Sequence, residues 1–334
     1  MNKPQTQLRP GDRTLLHLLR PIDEALGHPE VTDIVVNEPY RVGVRRAGQW
    51  DWLDVPSFDF ETLDAATILI GQRTGREFDE GNPYVNSTLP GGQRFQGVRP
   101  PGTRADRILW AIRRPPATAR KVEDPDFPGL FATTNQGQPR RRHVRQQLMD
   151  LHRAGDWQRF FPAARMAGIS MAFCGATGSG KSDMARRMIQ VSRPSARMVT
   201  IETDDEFGDV GPENKAPLFY DDTRISADEA VRIALRLVPV EIALQEVRGA
   251  EAYALLRAMA SGHSGVTTWH AEEGRELEAL AMMARQHPAG REMSEARLME
   301  MASEAFGVIA YCERGDDGFR VSSVRLMTEE REAA

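Results

Sequence analysis

The residues best suited to chemistry form one glycine-rich stretch, G-A-T-G-S-G-K-S at positions 175–182. Glycines let backbone N–H groups close around phosphate oxygens without a Cβ in the way. In such a loop Lys181 reaches the β- and γ-phosphates and the Ser182 hydroxyl binds Mg²⁺. The pattern predicts a site for ATP and Mg²⁺, and the alternative is a glycine turn that binds nothing. The predicted nucleotide-binding residues are Gly175, Ala176, Thr177, Gly178, Ser179, Gly180, Lys181 and Ser182.

Carboxylates follow two further apolar stretches. Residues 198–201 lead into Glu202, Asp204, Asp205 and Glu206, and residues 242–245 lead into Glu246. A strand that delivers acids at its carboxyl end places them in the crevice beside the phosphates. One of the first four acids could polarise the attacking water or hold Mg²⁺ through water. We expect Glu202 or Glu206 to orient the water and Glu246 to be the acid on the metal side. The alternative for the first group is an acidic turn that faces solvent.

Two more candidate side chains follow these acids in the sequence. Arg248 could sense a neighbouring subunit, or it could form a structural ion pair with Glu251. His270 ends a β-rich stretch, and we expect it to hydrogen-bond the γ-phosphate and so report hydrolysis. A lone histidine is more commonly a packed core residue. No second histidine or cysteine has the spacing of a metal ligand.

From residue 146 onward, strand patterns alternate with helix patterns. The predicted strands are 169–174, 197–202, 241–247, 265–269 and 307–312. The predicted helices are 181–191, 226–237, 249–261, 273–287 and 294–305. Such alternation predicts an α/β domain with a mostly parallel sheet and helices on both faces.

The first part of the chain is predicted to be a smaller α+β domain over residues 1–116, followed by a linker over 117–145 and the α/β domain over 146–334. Its predicted helices are 13–27 and 58–74, and its predicted strands are 31–37, 42–46, 50–53, 94–98 and 108–113. The basic run 140–145 could contact anionic lipid head groups, or it could be a solvated helix face.

Composition narrows the class of protein further. The 334 residues include 43 basic and 48 acidic side chains, a balance that argues against bulk nucleic acid as the main partner. The two cysteines, Cys174 and Cys312, are far apart in sequence, so neither a disulfide framework nor a zinc site is expected. No apolar run approaches the roughly 20 residues that span a bilayer. We therefore expect a cytoplasmic protein whose membrane contact, if any, is peripheral.

Four blocks, taken in order, resemble one family closely. They are G-A-T-G-S-G-K-S, I-E-T-D-D-E-F, E-V-R-G-A-E-A and T-T-W-H-A. They are similar to the Walker A, Asp box, Walker B and His box of the secretion traffic ATPases. The segments 31–39, 48–50, 92–101 and 112–113 resemble the N-terminal part of the type IV secretion branch. The absence of a C-x₂-C pair argues against the type II secretion and pilus-extension branches, which usually carry a zinc module.

The resemblance implies a RecA-like motor domain and a homohexamer with nucleotide between the two domains. It implies that Arg94 and Arg113 reach the phosphates, with Arg99 and Arg114 as near alternatives. Guanidinium groups suit that role because they neutralise charge on the transferring phosphoryl group. The implied partners are other type IV secretion ATPases and inner-membrane components, with the protein on the cytoplasmic side of that membrane. Direct DNA binding is not expected.

This chain departs from the family pattern at two blocks. The Asp box usually begins Glu-Asp, and Thr203 replaces the second acid here. In the Walker B block an acid is absent at Val240, and Gln245 replaces the usual glycine. These departures leave three alternatives to a secretion motor: a nucleotide-dependent scaffold with little turnover, a pilus retraction-type motor, and a DNA-translocating ATPase.

Overall fold

The computed structural model describes residues 9–115, 123, 128–131, 139–193 and 195–327. The chain starts with α1 (Asp12–Leu19), a 3₁₀ turn (Arg20–Ile22) and α2 (Asp23–Gly27). The prediction of one continuous helix over 13–27 is therefore wrong. Pro21 lies in the 3₁₀ turn, and its ring removes a donor from the helical hydrogen-bond ladder.

An antiparallel six-stranded sheet and one long helix complete the N-terminal domain. The strands are β1 (Val31–Glu38), β2 (Arg41–Arg46), β3 (Gln49–Asp54), β4 (Tyr84–Thr88), β5 (Arg94–Val98) and β6 (Leu109–Arg113), in the order β3-β2-β1-β6-β5-β4. The helix α3 (Phe60–Gln72) begins where the Asp59 side chain accepts a hydrogen bond from the Thr62 N–H at 2.8 Å. The predicted strands are all present, and β4 is an additional one.

The two faces of this sheet bury different partners because successive side chains point to opposite sides. Ile34 and Trp110 pack with the apolar residues of α1 and α3. Val35, Leu109 and Ala111 point the other way and join a core shared with the C-terminal domain. The N-terminal domain is thus packed against the rest of the chain by residues on one face of its sheet.

The C-terminal domain is the predicted α/β layer structure. Its strands are β7 (Met171–Gly175), β8 (Met198–Glu202), β9 (Lys215–Phe219), β10 (Glu241–Val247), β11 (Ser264–Trp269), β12 (Val308–Gly315) and β13 (Gly318–Leu326). The order is β13-β12-β7-β11-β10-β8-β9, and every pairing is parallel except that of β12 with β13. The strands β9 and β13, at the two edges, were not predicted from the sequence.

Helices cover both faces of this sheet, as predicted. On one face lie α4 (Pro139–Arg153), α5 (Trp157–Met166) and α6 (Lys181–Gln190), and on the other lie α7 (Ala227–Arg236), α8 (Glu251–Ala260), α9 (Glu276–Ala284) and α11 (Glu295–Ala305), with the short α10 (Pro288–Arg291) between the last two. The helices α5 and α10 are additional to those predicted. Among the described residues, no helix combines the length and apolar character needed to cross a bilayer.

The predicted linker falls mostly outside the described residues. Within it the structure describes residue 123, a 3₁₀ turn (Pro128–Phe131) and the start of α4 at Pro139, so this helix crosses the predicted boundary at 145. The side chains of residues 140–142 are not among those described, so the lipid hypothesis for the basic run stays a prediction.

A buried arginine joins the two domains. Arg197 is fully buried at the start of β8, and its Nη1 donates to Asn37 Oδ1 of β1 at 2.7 Å. It also donates to Asn214 Oδ1 and to the Leu237 carbonyl, and Asn37 Nδ2 donates to Asn214 Oδ1 at 2.9 Å. Burial lowers the pKa of Arg197 to about 9, against the opposing charge of Asp33.

We expect Arg197→Ala to lower the free energy of unfolding by about 2–4 kcal/mol, because it leaves buried acceptors without a donor and opens a cavity. Urea denaturation of the full chain measures this. The control is Arg232→Ala, which removes an exposed guanidinium from its pair with Asp228 and should cost less than about 0.5 kcal/mol. Equal losses in the two variants would contradict the role given to Arg197.

Candidate nucleotide site

The loop between β7 and α6 has the conformation that its glycines allow. Gly175, Gly178 and Gly180 have φ values of 142°, 73° and 87°, in the region that side chains disfavour. A Cβ on Gly175 would also collide with the carbonyl oxygen of Cys312 on the neighbouring strand β12. The chain can therefore turn from strand to helix in this space only with glycine at position 175.

Lys181 lies at the first turn of α6, with its side chain folded back over the loop. Its Nζ donates to the Ala176 carbonyl at 2.6 Å and lies 3.5 Å from Nδ1 of His270. Burial lowers the pKa of Lys181, and the negative charge of Glu246 opposes that shift. A cation is thus held at the position where a phosphate-binding loop needs one.

The ends of β10 and β11 bring three predicted residues together. Nε2 of His270 lies 2.8 Å from Oε1 of Glu246, and its Nδ1 lies 3.1 Å from the Gly175 carbonyl oxygen. The other oxygen of Glu246 accepts from Arg248 at 2.8 Å. The structure therefore links Arg248, Glu246, His270 and the phosphate-binding loop by direct contacts. Arg248 meets Glu251 only through its backbone N–H, so the guanidinium is paired with Glu246 instead.

The two acids after β8 differ in their surroundings. Glu202 is only 1% exposed, and its Oε2 accepts from the Phe207 N–H at 2.8 Å. Burial raises the pKa of Glu202, while hydrogen bonds from Thr200 and Phe207 oppose the shift. Glu206 is exposed on the loop that follows β8. Of the two candidates for orienting water, Glu206 is the one that solvent reaches.

The two departures from the family pattern meet in space. Oε1 of Gln245 accepts from the Thr203 N–H at 2.8 Å, and the Thr203 hydroxyl lies 3.3 Å from the same oxygen. Thr268 donates to the Gln245 carbonyl at 2.8 Å. Neutral groups thus join the ends of β8 and β10 beside Glu202 and Glu246.

Ser182 and Ser179 are the hydroxyls of the loop. Ser182 is exposed at the first turn of α6. Oγ of Ser179 is buried, and it has no hydrogen-bond partner among the described residues. The hydroxyl oxygen of Ser182 and the carboxylate oxygens of Glu246 are of the kind that Mg²⁺ prefers as ligands. These residues fit a nucleotide with its magnesium ion.

The two predicted arginines of the N-terminal domain lie apart from this network. Arg94 and Arg113 face each other in the register of β5 and β6, and both are exposed. Nε of Arg113 donates to Asp33 at 2.9 Å. Within the described part of the chain, no hydrogen bond or ion pair joins either arginine to residues 175–182.

The near alternatives have other partners inside the N-terminal domain. Arg99 pairs with Asp64 at 3.1 Å, and Arg114 donates to the His28 carbonyl.

Sequence reasoning missed two side chains that reach the site. Phe319, at the start of β13, is 60% exposed and lies over Gly180, where a Cβ would come within 2.9 Å of its ring. The Asp317-Gly318 pair before it is a hairpin signal that could have revealed β13. Arg104 of the N-terminal domain pairs with Asp205 and Asp209 of the loop after β8. No local signal points to that contact.

A mostly parallel α/β sheet that carries a phosphate-binding loop and delivers acids and a histidine beside it defines a RecA-like P-loop ATPase. The family described as "Type II/IV secretion system protein" matches residues 145–306. The type IV secretion system protein VirB11 of Brucella suis is 31% identical over 284 residues, which cover 82% of this chain and 79% of that protein. The VirB11 protein of Agrobacterium tumefaciens is 29% identical over 330 residues, 96% of each chain.

A solved structure agrees with these sequence matches. The crystal structure of the VirB11 ATPase from the Brucella suis type IV secretion system, in complex with sulphate, has a TM-score of 0.88 and 30% identity, with 97% of this chain and 96% of that one covered. The chain belongs to the VirB11 family of type IV secretion ATPases. It is an ATP hydrolase, as the sequence predicted.

The raised pKa of Glu202 gives a prediction about stability and pH. The folded state binds this proton more tightly than the unfolded state, so stability falls as pH rises from the unfolded carboxyl value of 4.5 to the folded pKa. Glu202→Gln removes that ionisation and can still accept from Phe207. We expect the variant to exceed the wild type in free energy of unfolding at pH 7.5, with a smaller difference at pH 5.

Urea denaturation at the two pH values tests this. Glu206→Gln is the matched control, and at its exposed position little change is expected at either pH. A Glu202→Gln variant that is less stable than the wild type by the same amount at both pH values would show that burial of the carboxylate is not costly.

Proposed function

We propose that this ATPase forms a homohexameric ring at the cytoplasmic side of the inner membrane and powers a type IV secretion system, in pilus assembly or substrate transfer. The observation that carries the proposal is the contact chain from Arg248 through Glu246 and His270 to the phosphate-binding loop. It joins the candidate metal-side acid and the candidate phosphate sensor to the lysine that would hold the phosphates.

The position of each residue in the site suggests its role in ATP hydrolysis. Lys181 neutralises the β- and γ-phosphates, and the backbone N–H groups of the loop bind their oxygens. Ser182 and Glu246 would hold Mg²⁺, which supplies charge neutralisation when it is bound. Glu206 orients the water for direct attack, with Glu202 beneath it fixing the loop through Phe207. His270 loses its contact with Glu246 when a γ-phosphate is present and keeps it when the γ-phosphate is absent.

A neighbouring subunit would complete the site. The exposed Arg94 and Arg113 have no contact with their own phosphate-binding loop among the described residues, yet guanidinium groups are needed where phosphoryl charge develops. A closed ring of identical subunits brings one subunit's arginines to the next subunit's loop through a repeated contact. Other ATPases and inner-membrane proteins of the same secretion system would be the further partners.

One observation favours a second function, a nucleotide-dependent scaffold with little turnover. The pairing of Thr203 with Gln245 puts neutral groups where the family pattern has an acid beside a glycine. Fewer acids near the water would slow hydrolysis without weakening nucleotide binding. Measured turnover separates the two functions.

The ring prediction is tested first by phosphate release from ATP over a wide range of protein concentrations. We expect specific activity to rise with concentration, because each site needs a neighbour, and to vanish in Lys181→Ala. Binding of ATP without release of phosphate at any concentration would instead favour the scaffold.

A mixing experiment tests whether the arginines act between subunits. Lys181→Ala and Arg94→Ala should each be inactive alone. In an equal mixture about a quarter of the sites would pair an intact loop with an intact arginine, so about a quarter of wild-type activity should return. Arg113→Ala gives a second mixture of the same design. A mixture with no activity above its components would place the arginines in the same chain as their loop.

A further inference from the structure

Arg104 connects the N-terminal domain to the part of the loop that surrounds Glu206. Arg104 belongs to the segment between β5 and β6, and its Nε lies 2.7 Å from Oδ2 of Asp205. Its Nη2 donates to the other oxygen of Asp205 at 3.0 Å, and its Nη1 donates to Asp209 at 2.5 Å. A single guanidinium thus bridges the residue just before Glu206 and another three positions after it.

The two residues that precede Arg104 are hydrogen-bonded to the large sheet. The Thr103 hydroxyl donates to the Pro217 carbonyl at 2.7 Å, and the Gly102 carbonyl accepts from the Phe219 N–H at 2.8 Å. Both acceptor and donor belong to β9, the edge strand of the large sheet. Because β9 pairs with β8, Arg104 is anchored to the strand pair from which the Glu206 loop emerges.

Hydrogen bonds within the loop include those from the Glu206 N–H to the Asp204 carbonyl at 2.6 Å and from the Val210 N–H to the Phe207 carbonyl at 3.1 Å. Glu202 accepts from the Phe207 N–H, and Lys215 donates to the Gly208 and Val210 carbonyls. Residues 204–206 are exposed. Arg104 adds a contact from the N-terminal domain to Asp205 and Asp209 on the outer part of this loop.

The charges at Arg104 make this more than an ordinary surface pair. Its side chain is 14% exposed, and although burial works against its charge, the hydrogen bonds that it donates to Asp205 and Asp209 raise its pKa. Exposed pairs contribute little on their own, but an arginine that bridges two carboxylates in a partly buried place restricts both. The planar fork of arginine suits this geometry, and a lysine could reach only one partner at a time.

We propose that Arg104 is a positioning residue that fixes the Glu206 loop, so that ATP turnover depends on docking of the N-terminal domain against β9. The proposal rests on the proposed function, because it takes Glu206 to orient the attacking water. A loop that shifts by about 1 Å loses the in-line geometry of the water while the phosphates stay bound elsewhere. Arg104 thus acts on the rate of turnover and leaves nucleotide affinity unchanged.

The test compares Arg104→Ala with Arg107→Ala in the full chain. Arg107 lies in the same segment with a similarly covered side chain, but its partners Glu38 and Asp106 belong to its own domain. We expect kcat to fall about tenfold or more in Arg104→Ala, with less than a twofold change in the Kd of a fluorescent ADP analogue. Arg107→Ala should retain wild-type kcat, and Arg104→Lys should be intermediate.

A double-mutant cycle assigns the effect to the loop. The paired change Asp205→Asn with Asp209→Asn should lower kcat as Arg104→Ala does, and adding Arg104→Ala should cost nothing further. Additive losses would overturn the proposal, as would equal kcat values for Arg104→Ala and Arg107→Ala. So would a fall in kcat matched by a fall in the unfolding midpoint that Arg104→Lys does not restore.

Amide hydrogen exchange separates this proposal from the proposed function. In the nucleotide-free chain, amides of residues 203–210 should exchange about tenfold faster in Arg104→Ala than in Arg107→Ala. If the wild type hydrolyses no ATP, the motor function fails, and the exchange rates alone decide whether Arg104 positions the loop. Unchanged exchange in Arg104→Ala would reject the proposal even in an active enzyme.

Discussion

A largely buried ammonium group at the start of α6 is the constraint that the rest of the site depends on. Lys181 is 7% exposed, and a charge taken out of water costs several kcal/mol unless dipoles or opposite charge compensate it. The Ala176 carbonyl supplies a dipole at 2.6 Å, and Glu246 supplies charge through His270. These groups lie near Lys181 only because β11 and then β10 lie beside β7. The order of the strands therefore lowers the free-energy cost of burying the lysine.

Much of the fold could be predicted because local patterns carry it. The strands that flank the phosphate-binding loop are continuous apolar runs, which central parallel strands need, and the helices between them repeat at helical spacing. The elements that were missed have weaker patterns. Pro217 interrupts β9, Pro162 lies inside α5, and β13 carries Ser322 and Ser323 in its middle. Edge strands tolerate such residues because only one side of the strand is paired.

Some residues of the candidate site could likewise be predicted from local sequence patterns, and others could not. The residues of the loop and the ends of β10 and β11 were identifiable because each follows a recognisable strand. Arg104 was not identifiable, since its partner Asp205 lies 101 residues further along the chain and nothing nearby marks the pair. The burial of Glu202 was equally hidden, because it depends on how the loop after β8 folds back so that Phe207 donates to it. Contacts between distant segments are set by packing, and a pattern in one segment does not reveal them.

Arg197 and Arg104 both join the domains, and they differ in the free energy that separating each from its partners would cost. Arg197 is fully buried among amide and carbonyl oxygens, so separating it from Asn37 leaves groups that water cannot easily reach. Arg104 lies at the rim, and the side chain of its partner Asp209 is 89% exposed, so water can replace that contact at small cost. The first contact holds the N-terminal domain in place. Separating the second contact would therefore cost less free energy than separating the first.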